Sequence, residues 1–287
     1  MAKRARQQTI EKYVAHKSVK AGAAARAIRS AYTIEVRFMG GLTATQKAAF
    51  KKAADRWTKV IVGDLPSVMV GGELIDDLLI EAKGIAIDGS AGILGQAGPT
   101  NLRPASAGAS AFLPAKGIMQ FDTADLADME ADGTLVDVIT HEMGHVIGIG
   151  TIWEDKGLLA GAGTSNPTFT GAKAKKAFGV LKGKGPTPVP VENSGGQGTA
   201  DSHWRESVFK NELMSGFISE SGNPLSRVTV ASLKDLGYRV KLSAAEPYSL
   251  PDLQIIAERG LMLTAAPHAH ALPILAPKVL PPDSLNV

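Results

Sequence analysis

The sequence contains no cysteine among its 287 residues. This absence excludes disulfide bonds, iron–sulfur clusters held by cysteine, zinc sites with cysteine ligands, a thiol nucleophile and a cysteine-based latency switch. The sequence also lacks any run of about 18 apolar residues, so we expect no transmembrane helix. Any metal ion must therefore be held by the six histidines and the 28 acidic residues.

Positive charge is unevenly distributed, although the net charge is only +3. Residues 1–30 carry eight Lys or Arg and one Glu, so their charge is +7 and the remaining 257 residues sum to −4. The remainder has no cluster of basic residues interleaved with aromatic ones, so we expect no nucleic-acid binding. We interpret residues 1–30 as a basic, partly helical arm. Because no apolar stretch follows its charges, it lacks the pattern of a Sec signal peptide, and we expect a cytoplasmic location or export by a non-Sec route.

Residues 31–150 show the patterns of several strands and a first long helix. Thr43 begins a capping box that opens this helix, Trp57 lies on its apolar face, and we expect it to end at Gly63. Alternating or β-rich segments predict strands over residues 32–38, 78–87 and 117–122. The Gly-rich segment 93–99 is typical of a short edge strand.

A second long helix is predicted from Thr134 to about Gly148. Thr134 with Asp137 gives a start signal, and the apolar residues that follow fall on one face. Residues from about 155 to 200 are rich in Gly, Pro, Ser and Thr, which is typical of a functional insertion or a linker. Shorter helices are predicted near Ala172–Phe178 and over Val228–Leu236.

One motif on the second helix carries chemistry: His141-Glu142-Met143-Gly144-His145. Residues four apart lie on the same face of a helix, so the two imidazoles can bind one zinc ion. Glu142 then lies beside the metal, where it can take a proton from bound water. The alternative is two surface histidines that flank a salt-bridging Glu.

The third ligand must come from farther along the chain. In the compact metzincin pattern a Gly follows the second His by three residues, as Gly148 does here, and a third His comes three residues later, where this sequence has Thr151. His203 is the best remaining candidate, because a possible Met turn follows it at Met214. Three glutamates could replace it, as in gluzincin peptidases: Glu192, Glu206 and Glu212.

On these residues the sequence resembles the leishmanolysin-like metzincin peptidases. That family has the two-His helix with its glycine, an insertion of tens of residues, a third His and a Glu-Leu-Met turn. Weaker similarity extends over about residues 32–245. The resemblance implies one catalytic zinc ion held by His141, His145 and His203, with Glu142 as the general base and Met214 as the Met-turn residue. Known members are typically secreted or membrane-anchored, and many carry disulfides, so their location does not transfer to a chain without cysteine.

The resemblance implies a zinc-dependent endopeptidase that hydrolyses proteins or peptides through a zinc-bound water activated by Glu142. The Gly-rich segment that contains Gly95, Gln96 and Ala97 could be the sheet edge that pairs with an extended substrate, or it could be an ordinary turn-rich loop. A different hypothesis is a non-catalytic protein with a structural zinc ion, whose site would be closed by a fourth protein ligand.

The expected architecture is α+β and metzincin-like. We expect a twisted mixed sheet and the active-site helix in residues 31–150, and a mostly irregular second half in residues 151–245. Residues 246–287 are interpreted as a Pro-rich tail, because seven of the 16 prolines lie between Pro247 and Pro282.

Several other residues have weaker claims to a functional role. Asp122, Asp125 and Asp128 could suggest calcium, but a solvated acidic loop is the preferred interpretation, since the Gly and terminal Glu of an EF-hand are missing. Tyr238 could donate a proton during catalysis, although a buried packing role is preferred. His268 and His270 lie in the predicted tail, where we assign them no function.

Overall fold

The computed structural model describes residues 10–16, 31–89, 95–196, 198–216, 218, 221–251 and 276–286. Within these ranges the chain forms a mixed α+β fold. Its strands are β1 (Glu11–His16), β2 (Thr33–Phe38), β3 (Val68–Val70), β4 (Glu73–Ile75), β5 (Leu78–Ile85), β6 (Gly95–Leu102), β7 (Pro114–Asp122), β8 (Leu159–Ala160), β9 (Thr168–Phe169), β10 (Val189–Pro190) and β11 (Lys278–Val279). Its α-helices are α1 (Ala44–Val60), α2 (Thr123–Asp132), α3 (Leu135–Ile147), α4 (Ala172–Leu181), α5 (Glu206–Phe209) and α6 (Arg227–Leu236). In the part of the chain described, no helix is both long and apolar enough to cross a bilayer.

The main sheet has six strands in the order β1-β2-β5-β7-β6-β11. Strands β2, β5 and β7 run parallel to one another, whereas β1 and β6 are antiparallel to their neighbours β2 and β7. Strand β11 is parallel to β6. The sheet is therefore mixed, as the sequence predicts. Two small sheets accompany it, one formed by β10, β9 and β8 and the other by β3 and β4.

Helices α1 and α3 contact each other, and α3 also contacts strands β6 and β7. Trp57 of α1 is fully buried, and its indole N–H donates to the carbonyl oxygen of Thr140 in α3 at 2.9 Å. Gly117 of β7 allows α3 to approach, because a Cβ there would stand 2.4 Å from Cγ1 of Val146. Helix α1 contacts β1 and β2 of the same sheet, so these contacts fix α3 against both α1 and the sheet, and the core of the molecule includes all three.

The four strands predicted in residues 31–150 are present as β2, β5, β6 and β7. The capping box of α1 is also confirmed, since the Thr43 hydroxyl accepts from the Gln46 amide and the Gln46 side chain accepts from the Thr43 amide. The predicted end of α1 at Gly63 is wrong. The helix stops at Val60 because Ile61 takes extended backbone and forms an antiparallel bridge with Val240.

The prediction of a partly helical arm is wrong for Glu11–His16, which form the edge strand β1. The physical reason is long-range pairing with β2, supported by side chains that reach α1. Tyr13 donates its hydroxyl proton to Asp55 at 2.8 Å, and Ala15 is 1% exposed. Residues 1–9 and 17–30 of the predicted arm lie outside the described residues.

The interpretation of Asp122, Asp125 and Asp128 as a solvated acidic loop is also wrong, because they begin and belong to α2. Asp122 is its N-cap and is 1% exposed. Its carboxylate accepts from the Ala124 amide at 2.7 Å and from amides of residues 87–89. Those bonds lower the pKa of Asp122 even though burial opposes them.

The second half of the chain contains α4 and α6 where short helices are predicted. The Ser226 hydroxyl caps α6 by accepting from the amides of Val228 and Thr229, and Gly237 ends the helix with a left-handed backbone. Part of the predicted Pro-rich tail packs on the body, since β11 extends the main sheet. His268 and His270 lie outside the described residues.

Candidate metal centre

Helix α3 brings His141 and His145 to one face. Their Nε2 atoms are 3.0 Å apart, as the four-residue spacing predicts. Unlike an amphipathic surface helix, α3 is buried on nearly every side. It ends at Gly148, whose left-handed backbone (φ 114°) turns the chain after the second histidine, also as predicted.

His203 joins the two helical histidines from a loop 58 residues beyond His145. Its Nε2 lies 3.0 Å from Nε2 of His141 and 2.9 Å from Nε2 of His145. The loop is held by its neighbours: the Trp204 amide donates to the Met214 carbonyl at 2.9 Å, and the Trp204 ring stacks on Trp153 at 4.9 Å between centroids. The three rings therefore converge through the same nitrogen.

The other ring nitrogen of each histidine faces a backbone carbonyl oxygen. Nδ1 of His141 lies 2.7 Å from the oxygen of Leu213, Nδ1 of His145 lies 2.8 Å from that of Ile149, and Nδ1 of His203 lies 2.9 Å from that of Thr199. A carbonyl only accepts, so each Nδ1 carries the proton. When a ring with its proton on Nδ1 is neutral, its Nε2 presents a lone pair to the centre of the triangle.

This donor set fits a zinc ion. Neutral imidazole nitrogen is a preferred zinc ligand, and a hydrogen bond from the remote ring nitrogen fixes the tautomer that binding requires. Burial lowers the pKa of His145 to about 4, so its ring is neutral at physiological pH. His141, His145 and His203 can thus hold a metal ion.

Glu142 lies beside the two helical histidines and is 1% exposed. Burial raises the pKa of its carboxyl to about 8, because a low-dielectric surrounding disfavours the charged form. A carboxyl group in such a position is suited to proton transfer near neutral pH.

Met214 is fully buried against α3. A Cβ at Gly144 would stand 2.7 Å from the Met214 sulfur and 3.0 Å from Cζ2 of Trp57. Gly144, between the two histidines, thus leaves room for a thioether from one side and an indole from the other. The sulfur atom lies beneath the centre of the motif, where a Met turn is expected.

Of the three glutamates considered as alternative third ligands, Glu212 and Glu192 have other partners. Glu212 is fully buried and accepts from the Met214 amide at 2.7 Å and the Ser226 amide at 3.0 Å, which ties the segment around Met214 to α6. Glu192 accepts from the Ser194 amide and from the Glu206 amide at 2.8 Å. Within the described residues none of the three belongs to the histidine cluster.

Asp137 has a larger role than its spacing predicts. Thr134 is the N-cap of α3 and Asp137 lies in its first turn, as the sequence predicts, although the Thr134 hydroxyl donates to Asp132 rather than to a helix amide. Asp137 is 9% exposed, accepts from the amides of residues 222 and 223, and pairs with Arg56 at 3.2 Å. It therefore joins α3 to the segment that follows Met214. Neither the hydrophobic pattern nor a motif predicts these contacts of Asp137, because most of the groups that donate to its carboxylate belong to a segment 85 residues or more away.

The candidate substrate residues Gly95, Gln96 and Ala97 lie on β6, opposite Phe121, Gln120 and Met119 of β7. Helix α3 contacts this strand, so the edge and the histidines belong to one region. Tyr238 is buried, and its hydroxyl donates to the carbonyl of Ile147 at the end of α3 at 2.8 Å. That bond agrees with the packing role preferred for Tyr238.

The geometry can be compared with known proteins. The family model for leishmanolysin matches residues 109–251, which include the two-His helix, His203 and Met214. The chain belongs to the leishmanolysin family. This is a family of zinc metallopeptidases. The match leaves out residues 32–108.

Individual leishmanolysins are similar over part of their length. Leishmanolysin of Leishmania major is 29% identical over 145 residues, 46% of this chain and 23% of that protein. The leishmanolysin homolog of Crithidia fasciculata is 28% identical over 137 residues, 44% of this chain and 20% of that protein. A leishmanolysin-like peptidase of Drosophila pseudoobscura pseudoobscura is 38% identical over 79 residues, 27% of this chain and 11% of that protein. The aligned part thus spans less than a quarter of each of these relatives.

Proposed function

We propose that the protein is a zinc-dependent endopeptidase. The observation that carries the proposal is the convergence of three Nε2 atoms, 2.9–3.0 Å apart, from His141, His145 and His203. Membership of the leishmanolysin family supports the same conclusion. The fold we propose around the site is metzincin-like, with α3 supplying two ligands from the first half of the chain and the His203 loop supplying the third from the second.

The zinc ion, when bound, acts as a Lewis acid that makes a water molecule more acidic and polarises the peptide carbonyl. Glu142 is the general base: its carboxylate takes a proton from the attacking water and gives it to the leaving amine. Burial alone disfavours the ionised form of Glu142, and a cation held by the adjacent histidines opposes that effect because opposite charge favours the carboxylate.

The neighbouring elements have supporting roles in this proposal. Met214 packs beneath the histidines, and its polarisable thioether is suited to this role. Gly95, Gln96 and Ala97 offer the backbone of β6 to an extended protein or peptide substrate, which would add a strand there. A structural zinc site would instead need a fourth protein ligand, whereas the cluster contains three residues in the part of the chain described.

The test is a zinc analysis combined with cleavage of casein by the wild-type protein and by Glu142→Ala. We expect one zinc ion per chain in both proteins. Cleavage by Glu142→Ala should be about 100- to 10,000-fold slower, since loss of a general base removes a factor of that size. Absence of zinc from the wild type, or equal cleavage by the two proteins, contradicts the proposal.

A further inference from the structure

Strand β11 covers one end of the outer edge of β6. Lys278 lies opposite Asn101 and Val279 opposite Leu102, and the Leu280 amide donates to the Leu102 carbonyl at 2.9 Å. The pairing does not extend to Gly95–Pro99, the segment where we propose that substrate binds. In the described part of the chain, β11 is the only strand that pairs with this side of β6.

Strand β6 also changes its geometry at the point where β11 begins. Its register with β7 shifts between Pro99 and Asn101 and again between Asn101 and Leu102. A bulge of this kind bends a strand and interrupts its ladder, and proline has no N–H to donate. The regular part of the edge therefore ends at Pro99.

The segment that carries β11 is firmly attached on both sides. Leu280 is 7% exposed and packs with Val68 and Ala115. Farther along, Leu285 forms an antiparallel bridge with Val68, and the Asn286 amide donates to the Ser67 carbonyl at 3.0 Å. Because these contacts fix it to β3 as well as to β6, β11 is a constant feature of the edge.

The end of β6 that β11 covers lies near the C-terminal end of α3. A Cβ at Gly148, which caps α3, would be 3.5 Å from Cδ of Pro114, the first residue of β7. Pro114 is the partner of Leu102 in β6. A strand bound along Gly95–Pro99 would therefore reach β11 close to the last turn of α3, the turn that carries His145.

We propose that β11 ends the substrate-binding edge and that Lys278 selects the substrate residue at this limit. This inference rests on the proposed peptidase function. A sheet edge can pair with one strand at a time, so substrate residues beyond the limit cannot pair with β6. Lys278 is exposed, and its ammonium group favours an acidic side chain there. The preferred substrates are thus unstructured segments with an acidic residue at the position next to β11.

The length limit can be measured by binding. Zinc-loaded Glu142→Ala is titrated with fluorescent peptides that share one core and are lengthened stepwise at either end, and affinity is followed by fluorescence anisotropy. On one side, affinity should stop rising once the peptide reaches β11. In a chain shortened by residues 278–287, two further residues on that side should each improve affinity about three- to tenfold, the effect of an added backbone hydrogen bond.

A second variant tests Lys278 without removing the strand. In zinc-loaded Glu142→Ala, the wild-type lysine should favour a peptide with Glu at the limiting position over one with Lys by about two- to fivefold, the range of an exposed ion pair. Lys278→Glu should reverse this preference. Lys176→Glu, on the exposed face of α4, is the matched control and should leave the preference unchanged.

Three results would overturn the inference. If affinity keeps rising on both sides in the protein with β11 intact, β11 sets no limit. If Lys278→Glu and Lys176→Glu have the same preference, Lys278 does not select. If the wild-type protein with zinc neither binds nor cleaves any peptide of the series, both the inference and the proposed function fail, whereas cleavage without a length limit leaves the proposed function standing.

Discussion

Gly150 lies against the backbone of Ser202, so that a Cβ on residue 150 would stand 2.0 Å from the Ser202 carbonyl oxygen. The contact joins the turn after α3 to the residue before His203. Gly150 also has a left-handed backbone, with φ +77°. One glycine thus sets how closely the loop with the third histidine approaches the helix with the other two.

Gly150→Ala should displace the His203 loop and weaken zinc binding. The methyl group meets backbone atoms that cannot rotate away, so we expect a loss of more than about 3 kcal/mol in the free energy of unfolding, the range of severe substitutions. Urea denaturation and zinc stoichiometry measure the two effects.

Gly157→Ala is the matched control for that experiment. Gly157 is also left-handed, with φ +63°, but a Cβ there has no atom within 4 Å. The backbone alone should cost about 1–2 kcal/mol, and zinc binding should be unchanged. Equal effects of the two substitutions would show that the contact with Ser202 does not position His203.

His203→Ala should abolish stoichiometric zinc binding, because two imidazoles remain of the three that converge. Glu206→Gln serves as the control, since Glu206 is near in sequence and was a possible acidic ligand. It should retain one zinc ion per chain in atomic absorption of dialysed protein. Loss of zinc from Glu206→Gln with retention in His203→Ala would favour the gluzincin arrangement instead.

Asp77 should make stability depend on pH. Its carboxylate is 1% exposed and accepts from the amides of Thr33 and Leu65. Burial raises its pKa to about 7, and the charge of Asp76 acts in the same direction. An acid with a raised pKa binds its proton more strongly in the folded state. Its favourable contribution to the free energy of unfolding is therefore fully present below about pH 4, the pKa in the unfolded chain. This contribution is lost as the pH rises through about 7, which lowers the free energy of unfolding by at most about 4 kcal/mol.

The measurement compares the free energy of unfolding of wild type and Asp77→Asn between pH 4 and pH 8. The wild-type value should fall relative to that of Asp77→Asn as the pH rises. Asp76→Asn removes the neighbouring charge that acts in the same direction, so its slope should be shallower than that of the wild type but should not vanish, because burial is the larger cause. Parallel curves for wild type and Asp77→Asn would show that Asp77 has an ordinary pKa.

Much of the fold was predictable because its determinants are local. The capping box at Thr43, the left-handed glycines that end α3 and α6, and the alternation in β2 and β7 each depend on residues a few positions apart. Predictions failed where distant pairing decides the conformation. The segment Glu11–His16 belongs to the basic arm that the sequence predicts to be partly helical, yet it pairs with β2.

The candidate site divides in the same way. By itself, the sequence determined that His141 and His145 share a face with Glu142 between them, because helical periodicity places residues four apart on one side. Only the tertiary structure decided that His203 joins them, that backbone carbonyls orient all three rings and that β11 covers part of the β6 edge. Backbone carbonyls and amides are common to all residues, so their long-range contacts leave no pattern of residue types in the sequence.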